Sequence, residues 1–118
     1  MFNNGKYKLR FFIEWGGGYL WSDVTDEKTF NRFDCGPICN PNEIGVSKEL
    51  CIELDALAEE YQGSLDWAYP LNPSPWTRKQ FKDFFGRLKI AYNKLCNELK
   101  DEFDISYEMD DIEELYLG

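Results

Sequence analysis

Residues 64–76, SLDWAYPLNPSPW, decide how this chain folds, because they separate two segments of strong helical periodicity. The stretch holds two of the four tryptophans and three of the five prolines. Pro70, Pro73 and Pro75 fix their own φ and keep the residues before them extended, so the segment reads as a stiff connection that sets how two helices sit. Trp76, at its end, reads as structural. Asp66, Trp67 and Tyr69, nearest the preceding helix, read as candidate contact residues, since a pre-organised aromatic with an acid beside it suits recognition of a protein.

Working outward, the preceding segment predicts a helix capped by Ser47, with Glu49 placed to complement the helix dipole and Gly63 to end it. Leu50, Leu54, Leu57, Ala58 and Tyr61 recur at three and four residues and define its buried face. At 100° per residue the opposite face carries Ile52, Asp55, Ala56 and Glu59, with Glu49, Glu53 and Glu60 on a flank. Ile52 is an apolar side chain set among carboxylates. The following segment opens with Thr77 and Gln80 as a capping box and continues through Phe81, Phe84, Phe85, Leu88, Tyr92, Leu95, Leu99 and Phe103. Its other face is basic through Lys79, Lys82, Arg87, Lys89, Lys94 and Lys100, a solvated stripe expected to pair with the acidic first helix or the tail.

Further out, Tyr7, Leu9, Phe11 and Ile13 alternate with Lys8, Arg10, Phe12 and Glu14, the pattern of a strand with one buried side. Gly16–Gly18 supply a tight turn, and residues 19–22 return as a second strand. Residues 23–45 are weakly patterned, with a short helix over 26–33 and a loop from Cys35 to Asn42. Ile105, Tyr107 and Met109 alternate with Ser106 and Glu108 as a last strand, and the acidic tail 110–118 frays or forms a brief helix. The fold class is therefore α+β: one domain over 1–118, with an antiparallel sheet made of the N-terminal hairpin and the C-terminal strand, and two main helices packed on one face.

Charge narrows the partner. The net charge is −9, with 12 acids against 6 bases in residues 1–76, 2 against 7 in 77–100 and 8 against none in 101–118. Such a chain is repelled by a phosphate backbone, which argues against direct nucleic-acid binding and favours a basic protein partner. No apolar run approaches the length that spans a bilayer and no signal-peptide core is visible, so a cytoplasmic protein without membrane contact is expected, as a monomer or weak dimer. In a reducing compartment Cys51 and Cys96 read as small core residues. Cys35 and Cys39 form half of a zinc site with no second half nearby, so no metal or other cofactor is expected.

The chain has no histidine, so a histidine base is excluded and a cysteine nucleophile would lack its usual activator. Adjacent acids such as Glu59 and Glu60 diverge by 100° on a helix and do not form a dyad. The expectation is a binding protein and not an enzyme. A metal-dependent carboxylate hydrolase, and a scaffold domain that pairs with itself or another protein through Trp67, are the alternatives.

The segments KLRFFIEWGGGYLW (8–21) and SLDWAYPLNPSPW (64–76) resemble a group of small bacterial cytoplasmic proteins of unassigned role. In size, charge and class the chain also resembles the immunity proteins that neutralise contact-dependent growth inhibition and other polymorphic toxins. That resemblance implies an inhibitor of a basic toxin domain such as a nuclease. The residues expected to carry the contact are Ile52, Glu53, Asp55, Glu59, Asp66, Trp67 and Tyr69.

Overall fold

A computed structural model describes residues 6–14, 18–34, 36–38, 40–64 and 75–117. In chain order the elements are β1 (Tyr7–Phe11), β2 (Leu20–Ser22), α1 (Glu27–Phe33), a 3-10 turn (Pro41–Ile44), α2 (Lys48–Gln62), α3 (Arg78–Leu99), β3 (Phe103–Tyr107) and α4 (Asp110–Leu117). The α+β class holds, and the strands form one sheet in the order β2-β1-β3.

The hairpin forms as the alternation requires. β1 and β2 pair antiparallel with Leu9 opposite Ser22 and Phe11 opposite Leu20, and the Phe12 N–H donates to the Tyr19 carbonyl at 3.1 Å. Leu9, Phe11 and Ile13 are buried, while Phe12 on the other side stacks on Trp21 at 4.9 Å. Gly18 permits a close approach, since a Cβ there would lie 3.3 Å from the Pro37 Cβ. Gly16 and Gly17 lie outside the described residues.

The C-terminal strand joins the sheet, but parallel to β1 and not antiparallel: Tyr7 lies opposite Phe103 and Phe11 opposite Tyr107. The reason is where α3 ends. Twenty-two residues extend about 33 Å at 1.5 Å per residue, which brings the helix C-terminus beside the start of β1. There the Tyr7 N–H donates to the Glu102 carbonyl at 2.8 Å. A strand leaving that turn can only run with β1, and the helices between β1 and β3 supply the crossover that parallel pairing needs. Phe103, which extends the helical series on paper, is the first residue of β3.

Both long helices begin at the expected caps. Ser47 Oγ accepts from the Leu50 N–H at 3.3 Å, and the Glu98 carboxylate of α3 accepts from both the Ser47 N–H and its hydroxyl, at 2.7 and 2.8 Å. Gln80 N–H donates to Thr77 Oγ1 while Thr77 N–H donates to Gln80 Oε1, completing the capping box. Gly63 closes α2 in the right-handed region, without a left-handed residue.

The buried faces of the two helices and of the sheet form one cluster. Phe84, Leu88, Ala91 and Leu95 of α3 are fully buried, and Trp76 packs edge-on against Phe81 at 5.1 Å, which confirms its structural role. Cys51 and Cys96 are half-buried, unbridged thiols. The acidic tail is a helix, held by the Tyr107 hydroxyl donating to Glu113 at 2.6 Å and by the Lys89–Glu113 ion pair at 2.9 Å. Asp26 caps α1 by accepting from the Thr29 N–H and hydroxyl.

Candidate functional site

Helix α2 separates its carboxylates into two sets. Leu50, Leu54, Leu57 and Tyr61 face inward and are buried, which turns Ile52, Asp55, Ala56 and Glu59 to solvent. Glu53 and Glu60 lie on the flank that meets α3. Glu53 pairs with Lys94 at 3.2 Å, and Glu60 pairs with Arg87, which also holds Asp83 at 2.9 Å. Those hydrogen bonds, from Glu60 first, raise the Arg87 pKa and keep it charged. Glu49, Asp55 and Glu59 have no ion pair among the described residues.

Three of the expected contact residues are carboxylates of this helix. Asp55 and Glu59 present uncompensated charge, whereas Glu53 is engaged with α3. The expected pairing of the basic stripe is also seen, with Arg87 and Lys94 on α2 acids and Lys89 on the tail.

Ile52 is 61% exposed and is not alone. Ala56 follows it by one turn, and Ile90 of α3 is 57% exposed. A shallow cleft of ≈ 300 Å³ between the helices is lined by Ala56, Leu57 and Ile90 with Glu53, Glu60 and Arg87 around it. The result is an apolar strip framed by ion pairs and flanked by unpaired acids. Sequence reading missed Ile90. The signal was its position two residues after Leu88, 200° around the helix and so on the outer face.

On the other flank of α2, Asp55 borders a groove of ≈ 640 Å³ against β2 and the loop before the 3-10 turn. Tyr19, Asn40, Asn42, Lys48 and Cys51 also line it. Tyr19 is 7% exposed, and its hydroxyl is enclosed without a hydrogen-bond partner among the described residues. Burial, then the Asp55 charge, push its pKa up. The same two influences raise the Cys51 pKa, so this thiol stays protonated and is not an activated nucleophile.

A third cavity, of ≈ 480 Å³, lies by the sheet and is lined by Arg10, Phe12, Ile13, Tyr61, Glu108 and Met109. Two of its charges satisfy each other, since Arg10 donates through Nε and Nη2 to the Glu108 carboxylate at 2.6–3.0 Å, while Glu14, which also lines it, makes no ion pair among the described residues. The Arg10 hydrogen bond is the main reason that the Glu108 pKa is lowered.

Asp66, Trp67 and Tyr69 lie outside the described residues, as do Cys35 and Cys39. Among the described residues no group of three or more His, Cys, Asp or Glu is placed to hold a metal ion, and no helix is long and apolar enough to cross a membrane. Adjacent acids diverge: Glu60 turns to Arg87 and Glu59 to solvent.

Residues 8–110 match the family model described as Serratia CdiI immunity protein-like, a span running from within β1 to the first residue of α4. No curated protein matches the chain.

Proposed function

The chain belongs to the Serratia CdiI immunity protein-like family, and from that premise we propose that it neutralises a basic toxin domain, a nuclease in our reading, by binding it through the outer face of α2. The observation that carries this reading is the division of the α2 carboxylates. Glu53 and Glu60 are compensated by α3, while Glu49, Asp55 and Glu59, near exposed Ile52, make no ion pair among the described residues. Unpaired surface acids repel one another and attract a basic surface, which speeds encounter. Ile52, Ala56 and Ile90 supply the apolar centre that such an interface needs.

A nuclease fits because its substrate site is built for phosphate. A row of carboxylates placed over that site reproduces the substrate's charge and excludes it. The inhibitor then acts by occupancy and performs no chemistry, so protection follows one-to-one titration.

The test uses the cognate toxin domain that this reading requires. Asp55→Lys with Glu59→Lys should slow association at least about tenfold at low salt, with the difference shrinking as salt screens the charges. Growth protection should fall in parallel. Unchanged association would remove the α2 face from the interface, and protection at well below one equivalent would overturn inhibition by occupancy.

A further inference from the structure

The groove between α2 and the loop before the 3-10 turn is lined by several hydrogen-bonding side chains. Asn40 Nδ2 already donates to Glu43 at 3.3 Å and Asn42 Nδ2 to the Val46 carbonyl at 3.0 Å. Each side chain lines the groove and keeps its amide oxygen as an acceptor beside one remaining N–H. The Asp55 carboxylate adds two more acceptor oxygens and a negative charge. The single cation in the lining, Lys48 in the first turn of α2, makes no ion pair with Asp55 or with any other described residue.

Beside these acceptors sits the Tyr19 hydroxyl, enclosed and unpartnered among the described residues. Buried polar groups in folded proteins are paired in the great majority of cases, and an orphan next to a cavity is a group that a water or a ligand entering the cavity can satisfy. Asp55 is near enough to raise the Tyr19 pKa by its charge and, as the last contribution, by a hydrogen-bonding approach, while the hydroxyl meets no partner in full hydrogen-bond geometry among the described residues. A ligand that draws the Asp55 carboxylate into a fixed position would let Tyr19 donate to it, and would leave the Tyr19 oxygen to accept from the ligand.

We propose that this groove receives an arginine side chain of the bound protein, with the guanidinium on Asp55 and the amide oxygens of Asn40 and Asn42, and Tyr19 completing the contact. Charge selects a cation, and the spread of acceptors selects a planar one with five donors over a compact ammonium. Bidentate pairing of guanidinium with carboxylate also gives the stronger and more directional contact. Half-buried Ile38 in the lining offers apolar surface to the methylene stem. The inference rests on reading the chain as a binder of a basic protein, and it adds the one side chain that fixes the register of the complex.

The test needs no toxin. Nα-acetyl-arginine amide is titrated into the isotopically labelled full chain to about 10 mM, in the range expected of a single side chain binding alone, with Nα-acetyl-lysine amide as the comparison. Saturable amide shifts are expected at Tyr19, Asn42 and Asp55, at least about threefold weaker for the lysine probe and absent in Asp55→Asn. Because Asp55 is exposed, that variant keeps its fold, which the dispersion of its spectrum verifies. Tyr19→Phe should weaken the arginine response while leaving the melting temperature unchanged or raised, since it removes an unpartnered hydroxyl. A Tyr19→Phe protein that melts lower would show that the hydroxyl is already paired, and would overturn the proposal. So would equal shifts from both probes, or an undiminished response in Asp55→Asn. Arginine binding in a chain that gives no protection against the toxin would defeat the immunity reading and leave the groove standing, so the two failures are distinguishable.

Discussion

Helices α2 and α3 lie side by side, carry comparable amphipathic patterns and begin at comparable caps, yet they treat their outer faces differently. α3 directs the charges of its central and C-terminal turns to its neighbours: Arg87 and Lys94 reach α2, Lys89 reaches α4 and Glu98 reaches the cap of α2. Lys79 and Lys82 in its first turns make no ion pair among the described residues. α2 accepts two of those contacts at Glu53 and Glu60 and leaves Glu49 on the same flank, and Asp55 and Glu59 on the outer face, without ion pairs among the described residues. A charge neutralised within the fold has little field left to steer a partner, whereas an unpaired one keeps it. The difference teaches that a net charge of −9 understates how localised the useful charge is. α3 organises the core and the seams, and the recognition proposed above is assigned to α2.

The comparison is most strongly tested at the centre of α3. Phe84 is fully buried and stacks with Tyr61 at 5.4 Å, so Phe84→Ala should cost about 3–5 kcal/mol in denaturant unfolding. A loss under about 1 kcal/mol would deny α3 its central place. At the seam the effect should be far smaller. Arg87→Met should cost less than about 1 kcal/mol, because its side chain and that of Glu60 are both more than a third exposed. The cost should shrink as salt is added, and a salt-independent loss would mean that the methylene stem, not the charge, holds the seam. The smallest change in stability belongs to the outer face of α2. Ile52→Ser should alter unfolding by no more than about 0.5 kcal/mol while weakening toxin binding measurably by calorimetry. A destabilised Ile52→Ser protein with intact binding would place Ile52 in the packing and reverse the contrast.

Legibility followed the range of the interactions involved. The caps at Ser47 and Thr77 and the two apolar stripes were readable because capping and helical periodicity are decided within a few residues. The first strand was readable for the same reason, as alternation is local. The direction of β3 was not, since it depends on where a helix of 22 residues sets the chain down, and alternation is the same in either direction. Phe103 continues a helical spacing on paper and is taken by the strand instead. At the candidate site, Asp55, Glu59 and Ile52 were readable from the helical wheel. The engagement of Glu53 by Lys94, the exposure of Ile90 and the orphaned Tyr19 hydroxyl were not, because each depends on a neighbour far away in the chain.

By itself the sequence determined which residues could form helices and strands, which face of each is apolar, and that the chain carries an excess of acid and no histidine base. Those properties follow from side-chain chemistry and from the fixed periods of 3.6 and 2 residues. Only the tertiary structure decided which acids are neutralised, which apolar residues are left in water, and which hydroxyl is buried without a partner in full hydrogen-bond geometry among the described residues. The physical reason is that Coulomb attraction and desolvation depend on distance through space, and contacts such as Glu53 with Lys94, 41 residues apart, exist only after the chain has brought its elements together.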